Sequence, residues 1–153
     1  MYEKRFHKWM KWVDRNEHPR IHLPGIYICA TSSRNIAGEP FNWRKSIIYI
    51  GMSNAVAGMK GRLRQFDFTI NQIKKSTHGG AERVRFKHRD YEKLINRLYV
   101  AVAPFRCDVK SNNPVDLKIM GKVAKFEYEC LAHYVEIYNK LPEFNDKKRS
   151  PKK

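Results

Sequence analysis

The sequence predicts an α/β fold built on a small sheet of three strands flanked by helices. Two observations carry this. Three short runs are rich in β-branched and aromatic residues, as strands are: Gly25-Ile26-Tyr27-Ile28-Cys29, Ile47-Ile48-Tyr49-Ile50-Gly51, and Leu98 to Ala103. Around them lie stretches in which apolar residues recur every three or four positions, the spacing of a helix with one buried face. A chain of 153 residues, 42% hydrophobic and 30% charged, is sized for one such domain.

The elements follow in chain order. Residues 2–16 read as an amphipathic helix, with Phe6, Trp9, Met10 and Val13 at helical spacing and Lys and Arg between them. Its aromatic face would pack on the core, or its basic side would touch DNA. A linker containing Pro19 follows. The organisation is therefore a basic N-terminal helix and linker over 1–20, a folded domain over 21–145 and a disordered basic tail over 146–153.

Pro24 and Gly25 open the first strand and Gly51 ends the second. The span from Thr31 to Lys45, with Gly38 and Pro40, reads as a long hairpin loop. A second helix is expected from Asn54 to Lys75, its stripe being Val56, Met59, Leu63, Phe66, Ile70 and Ile73. Helical phase puts Arg62 on the border of that stripe and turns Arg64 away from it. His78-Gly79-Gly80 is a turn signal. After it Arg83, Arg85, Lys87 and Arg89 alternate with Val84 and Phe86, which predicts an extended segment with one basic face. Such a face tracks phosphates, or is a charged sheet edge. Asp90 is placed to cap a short helix, Leu98 to Ala103 is the third strand, and Val115 to Asn139 is the last helix.

Charge narrows the partners. With 31 Lys+Arg against 15 Asp+Glu, the chain carries a formal +16, which favours a polyanion. No run is apolar enough to span a bilayer, the N-terminus is not a signal peptide, and nothing beyond the first helix resembles a membrane anchor. Three scattered cysteines, Cys29, Cys107 and Cys130, suit free thiols in a reducing cytoplasm.

Gly25-Ile26-Tyr27 and Tyr49-Ile50-Gly51 resemble the paired motif of the GIY-YIG nuclease family. The rest of the family's constellation follows in order: an arginine on the next helix (Arg62, in Lys60-Gly61-Arg62-Leu63), a glutamate on the last helix, and Pro142-Glu143-Phe144-Asn145 after it. Phe66 stands where many members carry a histidine, one turn after the arginine. The loop from Thr31 to Lys45 and the stretch from Met52 to Met59 are longer than usual for the family.

The resemblance implies a small antiparallel three-stranded sheet flanked by helices and a divalent-metal-dependent DNA endonuclease that leaves 5′-phosphate and 3′-hydroxyl ends. It implies Tyr27 as general base, Tyr49 orienting water or phosphate, Arg62 clamping non-bridging oxygens and Glu127 holding Mg²⁺ or Mn²⁺. Helix phase selects Glu127 over Glu129, because Glu127 falls among the apolar residues of the last helix. A phenol with a free pKa of about 10 needs help to act as a base at neutral pH, and surrounding cations are expected to supply it. His78, Lys45 and Asn145 are candidates for catalytic support, His78 being equally readable as a surface turn residue. Arg44, Lys60, Arg64, Arg83, Arg85, Lys87 and Arg89 are candidate DNA contacts. The expected partner is double-stranded DNA, a homodimer being open, and the expected setting is restriction or a phage. A non-catalytic nucleic-acid-binding module of the same fold is the alternative.

Overall fold

The computed structural model describes residues 2–72 and 78–148. Four antiparallel strands form one open sheet in the order β1-β4-β2-β3: β1 Met10–Lys11, β2 Gly25–Thr31, β3 Ile47–Ser53 and β4 Leu98–Pro104. The three longer strands are those expected. The sheet has four strands rather than three because the N-terminal segment adds β1, pairing Met10 with Val100 and Lys11 with Tyr99.

That segment is not one helix. It comprises a 3-10 turn at Tyr2–Arg5, β1, and a second 3-10 turn at Trp12–Glu17. The physical reason lies in its aromatics. A helix offers one face, whereas Phe6 and Trp9 enter the core on one side of the sheet and Trp12 enters the core on the other. Trp12 then donates its indole N–H to Asp67 at 2.8 Å, so burial leaves no polar atom stranded there. Val13, expected on the packed face, is 58% exposed.

Period-two alternation divides the strands between the two cores. Ile26, Ile28, Ala30, Tyr99, Ala101 and Ala103 face one side, where α4 (Pro114–Tyr138) packs. Tyr27, Cys29, Leu98, Val100 and Val102 face the other, with α1 (Gly58–Ile70) and α2 (Gly79–Lys87). α1 begins later than expected, leaving Val56 exposed in the preceding turn, but Met59, Leu63, Phe66 and Ile70 form the buried stripe. Its expected continuation through Ile73 to Lys75 lies outside the described residues.

The segment after His78 is helical rather than extended. His78 caps it, its Nδ1 accepting the Ala81 N–H at 3.2 Å, and Ala81 and Val84 bury one face. The cations therefore do not share a strand face. Arg83 is buried, Lys87 pairs with Glu143, and Arg89 lies over the Phe86 ring. Asp90 caps α3 (Tyr91–Ile95) as expected, accepting the Lys93 N–H. The loop between β2 and β3 is anchored by Ile36 and Phe41, with Phe41 stacked on Phe6 at 4.5 Å. Of the expected tail, 149–153 lie outside the described residues. No helix among the described residues is long and apolar enough to cross a membrane.

Candidate active site

The β2–β3 register builds the centre of the site. Tyr27 pairs with Gly51 and Cys29 with Tyr49, so both tyrosines lie on the α1/α2 face, ring centroids 6.1 Å apart. Gly51 has a steric reason: a Cβ there would stand 2.5 Å from the Tyr27 hydroxyl. Gly80 has the same reason toward the other ring, where a Cβ would stand 2.4 Å from Tyr49 Cε1. Glycines of two separate motifs thus make room for the two tyrosines.

His78 completes the cluster from the N-terminus of α2. Its Nε2 lies 2.8 Å from the Tyr27 hydroxyl, and both residues are 1% exposed. The surface-turn reading of His78 is thereby overturned. Because Nδ1 accepts from the Ala81 backbone, the neutral imidazole carries its proton on Nε2 and donates it to the Tyr27 oxygen. The His78 ring also meets Phe66 edge-on at 4.9 Å. The histidine thus comes to Phe66 of α1 from a different element.

Arg62 is the electrostatic hub. Its charge acts on Tyr27, Tyr49, His78 and Glu127. It also donates to Gln65 at 2.7 Å, one turn along the helix. Arg64 lies over Phe68 on the exposed side, as helix phase predicts. Lys60 is exposed beside it.

Burial governs the titrations. Tyr27 is pushed well above its ordinary value by burial, then by Tyr49 and Cys29, against the pull of Arg62. The expectation that cations alone would lower it is corrected: desolvation outweighs them. Tyr49 is pushed up to about 12, again by burial first, with Arg62 and Arg83 opposing. His78 is pushed down to about 3 by burial and then by Arg62, so it is neutral at physiological pH. Burial also raises the Glu127 carboxyl, Arg62 opposing. The Glu127 charge is felt at Tyr49, and Cys130 feels Glu129 and then Glu127. Both glutamates are half-buried, so phase rather than exposure separates them.

Arg83, expected on the open basic face of an extended segment, is instead buried on a helix. It is 7% exposed, and its charge acts on Tyr49 and His78. Its Nε has no hydrogen-bond partner among the described residues. A buried guanidinium with an unsatisfied N–H is costly without an anion. Helical period after the His-Gly-Gly cap was the signal that would have found it, since Gly80, Ala81, Arg83 and Val84 share the buried face.

The other candidates lie elsewhere. Asn145 does not enter the cluster. Its side chain accepts the Ile50 N–H at 2.9 Å and donates to the Ile50 carbonyl at 2.8 Å, which closes the free edge of β3 and holds that strand in place. Lys45 is exposed and lines a separate shallow cleft with Tyr134, Lys140 and Glu143. Arg44 is half-buried near Glu39, and Arg85 is half-buried on α2. Among the described residues no three His, Cys, Asp or Glu side chains gather as a metal cage. No family model, no curated protein and no solved structure matches the chain.

Proposed function

We propose that the chain is a divalent-metal-dependent DNA endonuclease of the GIY-YIG type, hydrolysing phosphodiester bonds to 5′-phosphate and 3′-hydroxyl ends. The observation that carries this reading is the convergence on Arg62 of Tyr27, Tyr49, His78 and Glu127, contributed by four separate elements. A binding surface has no need of two phenols, an imidazole and a carboxylate around one guanidinium.

The roles follow from the chemistry of the groups. Tyr27 first loses its own phenolic proton to solvent, and the phenolate then accepts the proton of the attacking water. The His78 Nε2–H donates to the Tyr27 oxygen and the Arg62 charge acts on it, so the phenolate, once formed, is held by a hydrogen bond and a cation. Arg62 and Arg83 face the non-bridging oxygens, where guanidinium geometry suits a developing dianion. Tyr49 orients phosphate or water by its hydroxyl.

Glu127 fits as the holder of Mg²⁺ or Mn²⁺. A lone carboxylate is the protein's usual contribution to a hard ion that keeps its waters and takes phosphate oxygens. The upward push of burial on Glu127 is what a cation would reverse. When bound, such an ion supplies Lewis-acid help to the leaving oxygen.

A second reading, a non-catalytic nucleic-acid-binding module, draws support from the 1% exposure of Tyr27 and the upward push on its phenol. One experiment separates the two. Purified protein with Mg²⁺ or Mn²⁺ is incubated with plasmid, branched and single-stranded DNA, with EDTA as control. Metal-dependent nicking or linearisation, with end sequencing to give the chemistry and any fixed site, supports the nuclease. Binding without cleavage on every substrate overturns it.

A further inference from the structure

We propose that α4 carries a self-association surface on which a second copy of this chain packs antiparallel. The inference stands apart from the nuclease reading and uses a different face of the helix.

With Phe126 set at zero and about 100° per residue, α4 divides into three faces. Val123, Phe126, Cys130 and Tyr134 fall between about 0° and 80° and are buried. Lys118, Lys122, Lys125, Glu129 and Glu136 fall between about 260° and 320° and form a charged face. Between them runs a second apolar stripe, Leu117, Gly121, Ala124, Tyr128, Leu131 and Val135, stepping by four and three residues, with Leu131 at its inner margin packed against the core. That alternation is the seam by which two helices interlock. Leu117 is 49% exposed, Tyr128 72% and Val135 36%. Gly121 is not required by its own surroundings, since a Cβ there meets nothing within 4 Å. With Ala124 it makes a shallow waist between larger side chains, which lets a second helix approach closely.

Charge identifies the occupant. The chain is strongly basic, yet α4 carries four acids against three lysines, so its outer stripe lacks the positive surplus that draws nucleic acid. On that charged face Lys118, Lys122 and Lys125 occupy the N-terminal half and Glu129 and Glu136 the C-terminal half, while Asp116 and Glu127 fall outside it, at about 80° and 100°. A copy laid antiparallel sets lysines against glutamates at both ends; a parallel copy sets like against like. Centred between Ala124 and Tyr128, the antiparallel pair places Leu117 opposite Val135 of its partner.

The test uses the full chain at about 0.15 M salt, where the overall like charge of two copies is screened beyond about 8 Å. Sedimentation equilibrium should give twice the 18.2 kDa chain mass at tens of micromolar. Ala124→Glu and, independently, Leu117→Glu should restore the single-chain mass with an unchanged circular dichroism spectrum. In a Cys107→Ser background, Leu117→Cys and Val135→Cys proteins should form a disulfide-linked dimer when mixed, and neither should do so alone. A single-chain mass at every concentration overturns the proposal, as does a dimer that survives both glutamate variants. Self-linking of Leu117→Cys alone overturns the antiparallel arrangement, and capture of a different protein without self-association overturns the choice of occupant.

Discussion

Two regions of this protein pair a histidine with aromatic side chains and cations, and they are built in opposite ways. At the β2–β3 centre, His78 is buried, hydrogen-bonded to a phenol, and flanked by Arg62 and Arg83. At the far edge of the sheet, His7 and His18 hydrogen-bond each other at 2.7 Å beside an open cleft of about 880 Å³ lined by Phe6, Trp9 and Phe41 with Lys4, Lys8 and Lys11. His18 takes the Arg20 N–H on Nδ1, so its Nε2–H is the donor to His7. Among the described residues the lining of that cleft holds no carboxylate–guanidinium–phenol set. Burial lowers the titration of His7 and His18 as well, so what sets the two regions apart is the convergence of phenols, guanidinium and carboxylate at the first.

Mutation sharpens the contrast, starting with the largest expected effect. Arg62→Ala should reduce plasmid cleavage by several orders of magnitude, since an arginine facing transition-state charge is worth several kcal/mol. DNA affinity in a gel-shift assay should barely change, because one of many cations contributes little to counterion release. Arg64→Ala should keep most activity, and equal losses in the two variants would show that the helix phase is wrong. Tyr27→Phe removes one hydroxyl, so it should cut the rate comparably while leaving the fold intact. The wild-type pH–rate profile should climb steadily into the alkaline range, because burial holds the phenol protonated. A plateau below neutrality would exclude Tyr27 as the base.

Glu127→Ala should abolish metal-dependent cleavage with DNA binding retained, and Glu129→Ala should cleave almost normally. The reverse result would move the metal to the other glutamate.

Smaller losses are expected from the residues around this core. Arg83→Ala and His78→Gln should each cost roughly ten- to a hundredfold in rate, about 1.4 to 2.7 kcal/mol. His78 also links stability to pH. Its folded pKa of about 3 lies below the unfolded value of 6.5, so the unfolded chain takes up the proton first. Its contribution is complete above pH 6.5 and is lost as pH falls from there toward 3. Urea midpoints between pH 7 and 4 should therefore fall more steeply in wild type than in His78→Gln, and parallel lines would contradict the buried, neutral imidazole.

The smallest effect is expected at the far edge. His7→Ala and His18→Ala should leave cleavage within a few-fold of wild type and cost about 1 kcal/mol of stability, the worth of one ordinary hydrogen bond. A catalytic loss there matching that of His78→Gln would erase the distinction between the two regions.

The sequence by itself determined the three long strands, the phase of α1 and the length of α4. Each rests on a local period: two for Tyr27 and Tyr49 on one face of a hairpin, three and four for Met59, Leu63, Phe66 and Ile70. That periodicity also set Arg62 apart from Arg64 before any packing was known. Tertiary structure alone decided the rest. The aromatics of residues 6–12 match a helix equally well in the chain, and only a sheet with two cores to fill draws Trp9 to one side and Trp12 to the other. Arg83 and its neighbours fit a strand or a helix, and the packing of Ala81 and Val84 into the core beside Leu63 and Phe66 selects the helix that buries Arg83. The direction in which Tyr27 titrates was likewise invisible, because the chain lists the cations but not the desolvation, and desolvation is the larger effect.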